Sequence, residues 1–176
     1  MLHIKFTSRP FDKLTTECAI VTAFSDDKPL QGNAALLDWR LNGRLSRILI
    51  QKKFNAGFKE ALLLPAEGRL HSKRVLILGL GSRPEFNEER VSGFVQYLLD
   101  TIAQKKVRDF LVSFSDFIPA QFEWRNSVRI LVSKLRDFPH IEAVVLSESD
   151  DRIREAKRRH MDFGANVDVS FETLSP

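Results

Sequence analysis

The feature that most constrains this chain is a repeated change of hydrophobic period. From about residue 60 onward, short apolar runs closed by a breaker alternate with amphipathic helical stripes. Ala61-Leu62-Leu63-Leu64 stops at Pro65, and Val75-Leu76-Ile77-Leu78 stops at Gly79. Each run is short and bounded by a breaker, which suits a strand buried on both faces. Val91, Phe94, Val95, Leu98, Leu99 and Ile102 then form one continuous helical stripe. Asn87 is its expected N-cap, with Glu88 and Glu89 in the first turn. Residues 109–114 read as a strand, and Trp124, Val128, Leu131 and Leu135 mark another helix. Residues 141–146 read as a further strand, and Ser149 or Asp150 can cap a charged helix running to about His160.

This alternation predicts an α/β fold with a mostly parallel sheet and helices on both faces. Before it, Leu2, Ile4 and Phe6 alternate as in a half-buried strand, and residues 17–24 read as a second strand. A helical pattern follows through Ala34, Leu37, Leu41, Leu45, Ile48 and Leu49, and Gly43 splits it in two. These early strands join the sheet and give it a mixed edge. The expected domain is residues 1–160, with 161–176 as a tail or linker.

The 176 residues suit one domain with its own core. Apolar residues are 43% and charged residues 28%, and 14 Phe argue for a dense aromatic interior. No apolar stretch approaches the length of a membrane span, and the N-terminus lacks the apolar centre of a signal peptide, so the cytoplasm is the expected compartment. The single cysteine, Cys18, excludes an internal disulfide and a cysteine-built zinc site, and its apolar neighbours predict burial. His3, His71, His140 and His160 show no paired metal-ligand spacing. Gly79-Leu80-Gly81 follows a strand and precedes a helix, but Pro84 occupies the third glycine position of a dinucleotide fingerprint, so a tight turn is expected.

Several motifs together resemble the N-terminal domain of the leucine (cytosol) aminopeptidase family. They are Ala19-Ile20-Val21-Thr22-Ala23-Phe24, then Gly32-Asn33-Ala34-Ala35-Leu36-Leu37-Asp38, then Leu62-Leu63-Leu64-Pro65. The most specific is Lys73-Arg74-Val75-Leu76-Ile77-Leu78-Gly79-Leu80-Gly81, a strand opened by two cations and closed on a Gly-Leu-Gly turn. The resemblance implies a macrodomain-like three-layer α/β/α fold that is non-catalytic and contributes to oligomer architecture. It also implies that the family's two divalent metals belong to a separate C-terminal domain, so no cofactor and no enzymatic activity are expected in these residues. Ala66-Glu67-Gly68-Arg69-Leu70 copies the end of the family's catalytic motif without its Asn-Thr-Asp part, and it reads as a turn between two strands.

Two candidate binding regions follow. Macrodomains bind ADP-ribose through an Asn-rich strand end and a Gly-rich loop, and the matching positions here are Thr22, Gln31, Gly32 and Asn33, with a reduced phosphate cradle. The formal net charge is +4, and residues 151–160 hold five basic and two acidic residues. Arg152, Arg154, Lys157, Arg158 and Arg159 are therefore candidate phosphate contacts, with Arg154, Lys157, Arg158 and Met161 on one helix side. Some members of the aminopeptidase family also bind DNA. The expected partner is a protein, either a second copy or an aminopeptidase catalytic subunit, with nucleic acid as the alternative and no membrane.

Overall fold

The structure is a computed structural model that describes residues 1–158, 161 and 163–174. Seven strands form one sheet in the order β3-β4-β2-β5-β6-β1-β7. They are β1 (Leu2–Thr7), β2 (Cys18–Ala23), β3 (Ala61–Pro65), β4 (Arg74–Gly79), β5 (Asp109–Val112), β6 (Ala143–Ser147) and β7 (Val167–Glu172). All neighbouring strands run parallel except β3, which is antiparallel to β4. The helices are α1 (Gly32–Arg40), α2 (Arg44–Ile50), α3 (Glu88–Gln104), α4 (Trp124–Leu135) and α5 (Asp150–Arg158).

Two apolar clusters sit on opposite faces of the sheet. Ile20, Leu76, Leu78, Phe110, Val112, Val144 and Leu146 pack against α3, α4 and α5. Ala19, Val21, Val75, Ile77 and Leu111 pack against α1 and α2. Neighbours in sequence thus alternate between the two faces, which is why the central strands read as unbroken apolar runs. The result is the predicted three-layer α/β/α architecture.

Local chemistry explains the boundaries. The Asn87 side chain accepts the Arg90 N–H at 3.0 Å and caps α3, whose predicted stripe is buried along its whole length. Leu41 caps the end of α1, Gly43 at φ 71° is the N-cap residue of α2, and the Asp38 carboxylate accepts the Leu45 N–H at 2.8 Å in the first turn of α2. Gly79 ends β4 where the chain at Ala56 and Gly57 crosses it, and a Cβ there would lie 2.1 Å from the Gly57 carbonyl oxygen. That approach is the reason a glycine closes the Lys73-to-Gly81 segment.

Three expectations need correction. The run at residues 61–64 is not buried on both faces, because β3 is the antiparallel edge and only Leu64 of it is buried. Within 161–176, expected as a tail or linker, the described residues Val167–Glu172 form an edge strand. Val167–Glu172 pairs with β1 in parallel, Phe171 stacks on Phe6 at 5.1 Å, and Lys5 meets Glu172 at 2.7 Å. Alternation of Val167, Val169 and Phe171 with polar residues fits a half-exposed edge strand. Met161 does not share the basic face of the last helix, since it is 4% exposed and belongs to the core below α5.

Candidate functional site

In an open parallel sheet, ligands bind outside the carboxyl ends of the strands, where connections leave toward opposite faces. Here that place is the end of β2. The chain leaves β2 through α1 and α2 on one face, and passes from β4 to β5 through α3 on the other. The loops that meet there are residues 24–31 and the 3-10 turn Phe114–Asp116.

The four candidate ligand residues lie close to this point. Thr22 is in β2, 7% exposed, and paired in register with Leu78. Gln31 is the N-cap residue of α1, and its side-chain amide donates to the Pro29 carbonyl at 3.0 Å. Gly32 has φ +55°, and a Cβ there would lie 2.6 Å from Asp116 Oδ1. Asn33 donates to the same carboxylate twice, from its backbone N–H at 3.4 Å and its side-chain amide at 2.8 Å. Asp116 thus rests against the N-terminal end of α1, where the partial positive charge of the helix favours an anion. An internal carboxylate thus lies against Gly32 and Asn33, two of the four residues offered as ligand contacts. Burial raises its pKa, and the Asn33 bonds oppose that rise.

The neighbouring strand end carries a second acid. Glu148, 5% exposed, follows β6 and accepts the Phe114 N–H at 2.6 Å and the Ser115 hydroxyl proton. Burial pushes its pKa up to about 7, opposed by those two bonds and by the Arg152 guanidinium and Trp124 indole nearby. The indole Nε1 is buried without reaching hydrogen-bonding geometry. Glu148 holds the turn that carries Asp116, so the two acids fix the loops across the strand ends. Neither acid was singled out from the sequence. Glu148 offers one weak signal, an acidic residue directly after an apolar strand, and Asp116, four residues past the end of β5, offers none.

The basic helix divides. Arg152 turns inward, with its guanidinium 5.6 Å from the Trp124 ring centroid. Arg154, Lys157 and Arg158 are exposed, as are Asp151 and Glu155 among them. Arg159 lies outside the described residues. Cys18 is fully buried, and burial pushes its thiol up to about 12, which leaves it protonated and inert. Glu67 forms an exposed ion pair with Arg44 at 3.0 Å, and the Arg69 N–H closes a turn onto the Ala66 carbonyl at 3.0 Å. The Ala66-to-Arg69 segment is therefore a β3–β4 turn. Among the described residues, no group of three His, Cys, Asp or Glu side chains is placed to hold a metal ion. Nor, among the described residues, is any helix long and apolar enough to cross a membrane.

Comparison with known proteins places these observations. The probable cytosol aminopeptidase of Sulfurihydrogenibium sp. (strain YO3AOP1) is 25% identical over 111 residues, covering 63% of this chain and 22% of that protein. The probable cytosol aminopeptidase of Haemophilus ducreyi is 25% identical over 135 residues, covering 77% and 27%. The chain thus spans about a quarter of the length of the curated relatives it matches. Among solved structures, the macrodomain of Mycobacterium tuberculosis DarG aligns with a TM-score of 0.65 at 14% identity, covering 83% of this chain and 98% of that one. A Trypanosoma brucei macrodomain in complex with ADP aligns at 0.67 with 14% identity, covering 89% and 68%. A mutant tomato leucine aminopeptidase aligns at 0.57 with 16% identity, covering 98% of this chain and 32% of that one. The model of the cytosol aminopeptidase family N-terminal domain matches residues 20–137. The chain therefore belongs to the cytosol aminopeptidase family through its N-terminal domain, carried on a macrodomain-like α/β/α fold.

Proposed function

We propose that this domain is a non-catalytic interaction module that acts in protein assembly, with a second copy or an aminopeptidase catalytic chain as its partner. The observation that carries this reading is Trp39, 68% exposed on α1 beside a depression lined by Pro29, Leu30, Ala35 and Asn42. A tryptophan left in water on a rigid helix is the kind of anchor that dominates protein interfaces. Its ring also holds the Arg40 guanidinium at 4.6 Å, and Arg40 pairs with Asp12 at 2.6 Å, so the anchor is braced before any partner arrives. In this reading peptide hydrolysis and its metals lie in other parts of the family's proteins, and the domain works in the cytoplasm without a cofactor. Sedimentation velocity of the wild-type chain and a Trp39→Ser variant tests it, alone and mixed with an aminopeptidase catalytic chain. Association that disappears in the variant is expected. Identical sedimentation of both proteins under both conditions would remove the basis for the proposal.

The exposed cations of α5 support a second reading, nucleic-acid binding through Arg154, Lys157 and Arg158. Phosphate contacts release counterions, so binding to duplex DNA must then fall steeply with salt. Flat salt dependence contradicts it.

A further inference from the structure

We infer that the cavity between the 24–30 loop and α2 is a binding site for a small apolar carboxylate, such as a medium-chain alkyl or aryl acid. The cavity measures about 600 Å³, within the usual range for small-molecule sites of roughly 300–1,000 Å³. Phe24, Leu30, Leu49 and Phe54 supply its apolar walls. It opens beside the end of β2, at the switch point of the sheet, but on the α2 side of the loop. Thr22, Gly32 and Asn33 do not line it.

The charges around it select the ligand's sign. Asp27 is the sole acid among the described residues that line it, and Arg83 binds it from Nη2 at 2.6 Å and Nε at 2.9 Å. The same guanidinium stacks 4.3 Å from the Phe24 ring centroid, so it is fixed on both sides. Lys28 and Lys52 are exposed at the cavity, and their ammonium groups have no ion-pair partner among the described residues. A neutralised acid and two free ammonium groups above apolar walls favour a molecule with an apolar body and one anionic head. A polyphosphate fits poorly, because aromatic and aliphatic side chains dominate the walls where it needs converging donors.

The test is a titration of the full chain with sodium decanoate, followed by amide NMR, with decanol and decyltrimethylammonium as probes of head-group charge. Decanoate should move amide signals at residues 25–30 and 46–55. The Lys28→Glu/Lys52→Glu double variant should weaken it by about tenfold or more, since each exposed charge contributes modestly. The milder Lys28→Gln/Lys52→Gln pair should act in the same direction, and the dispersion of its spectrum reports that the fold is intact. The cavity shares Pro29, Leu30 and Ser46 with the depression beside Trp39 but is not lined by Trp39 itself, so a Trp39→Ser variant should still bind decanoate like the wild type. Equal binding of the cationic and anionic probes, shifts that bypass both segments, or undiminished affinity in both lysine pairs overturns the inference.

Discussion

Acidification should stabilise this domain, and Glu148 should be the reason. The carboxyl is 5% exposed, and burial moves its pKa from the ordinary 4.5 to about 7. At about 1.4 kcal/mol for each tenfold change in proton affinity, keeping it charged costs the fold about 3 kcal/mol. The unfolded chain releases this proton near pH 4.5, whereas the folded chain holds it to about pH 7. The stability gained from the protonated form is therefore complete below the lower value and lost as pH rises through the higher one. Between about pH 8 and about pH 5.5 the wild type should gain about 2 kcal/mol. For a domain of this size that is a rise of roughly 4–8 °C in Tm. Glu148→Gln keeps an acceptor for the Phe114 N–H and turns its amide toward the Ser115 hydroxyl, without the charge. It should melt higher than the wild type at pH 8 and lose the acid-dependent gain. Paired thermal melts across this window check the difference, since other titrating groups are common to both proteins. Parallel Tm curves for the two proteins would show that Glu148 is not the titrating group, and the electrostatic account of this strand end would fail.

Two further outcomes follow from backbone geometry. Gly79→Ala drives a methyl group against the Gly57 carbonyl, 2.1 Å away. It should cost about 3 kcal/mol or more in urea unfolding, and a loss near that of a surface substitution contradicts the close packing. Asp116→Ala removes the carboxylate held by Asn33 at the start of α1. It should cost about 1 kcal/mol, while millimolar ADP-ribose should leave the wild-type Tm unmoved, because a ligand of the native state must raise it. A clear rise with ADP-ribose in the wild type refutes the view that Asp116 holds that place.

What the sequence revealed depended on how locally each feature is encoded. The stripe from Val91 to Ile102, its Asn87 cap and the break at Gly43 are written in spacing and in single residue types, and the structure forms all three. Sheet order is not local. The run at residues 61–64 resembles a central strand in composition, but the tight Ala66-to-Arg69 turn folds it back antiparallel at the edge. β7 has a legible alternation, but its partner is β1, and no local signal names that partner. Asp116 and Glu148 were invisible for the same reason. Each is an ordinary acid until the turn Phe114–Asp116 is brought against α1 and β6.

β1 lies between β6 and β7, with His3 opposite Ala143 and Leu2 opposite Val167. Of the seven strands in this sheet, β1 comes first in chain order and its two neighbours come last. Until those neighbours pair with it, Ile4 and Phe6 have no sheet to join, and the half of the domain from β2 to β5 must gather without them. Closing such a distant pairing is slow compared with forming a helix. Throughout that interval an apolar strand with two open edges is exposed to other chains. The pairing of β1 is thus the most non-local step in closing this sheet, and an isolated β1 would present two open edges.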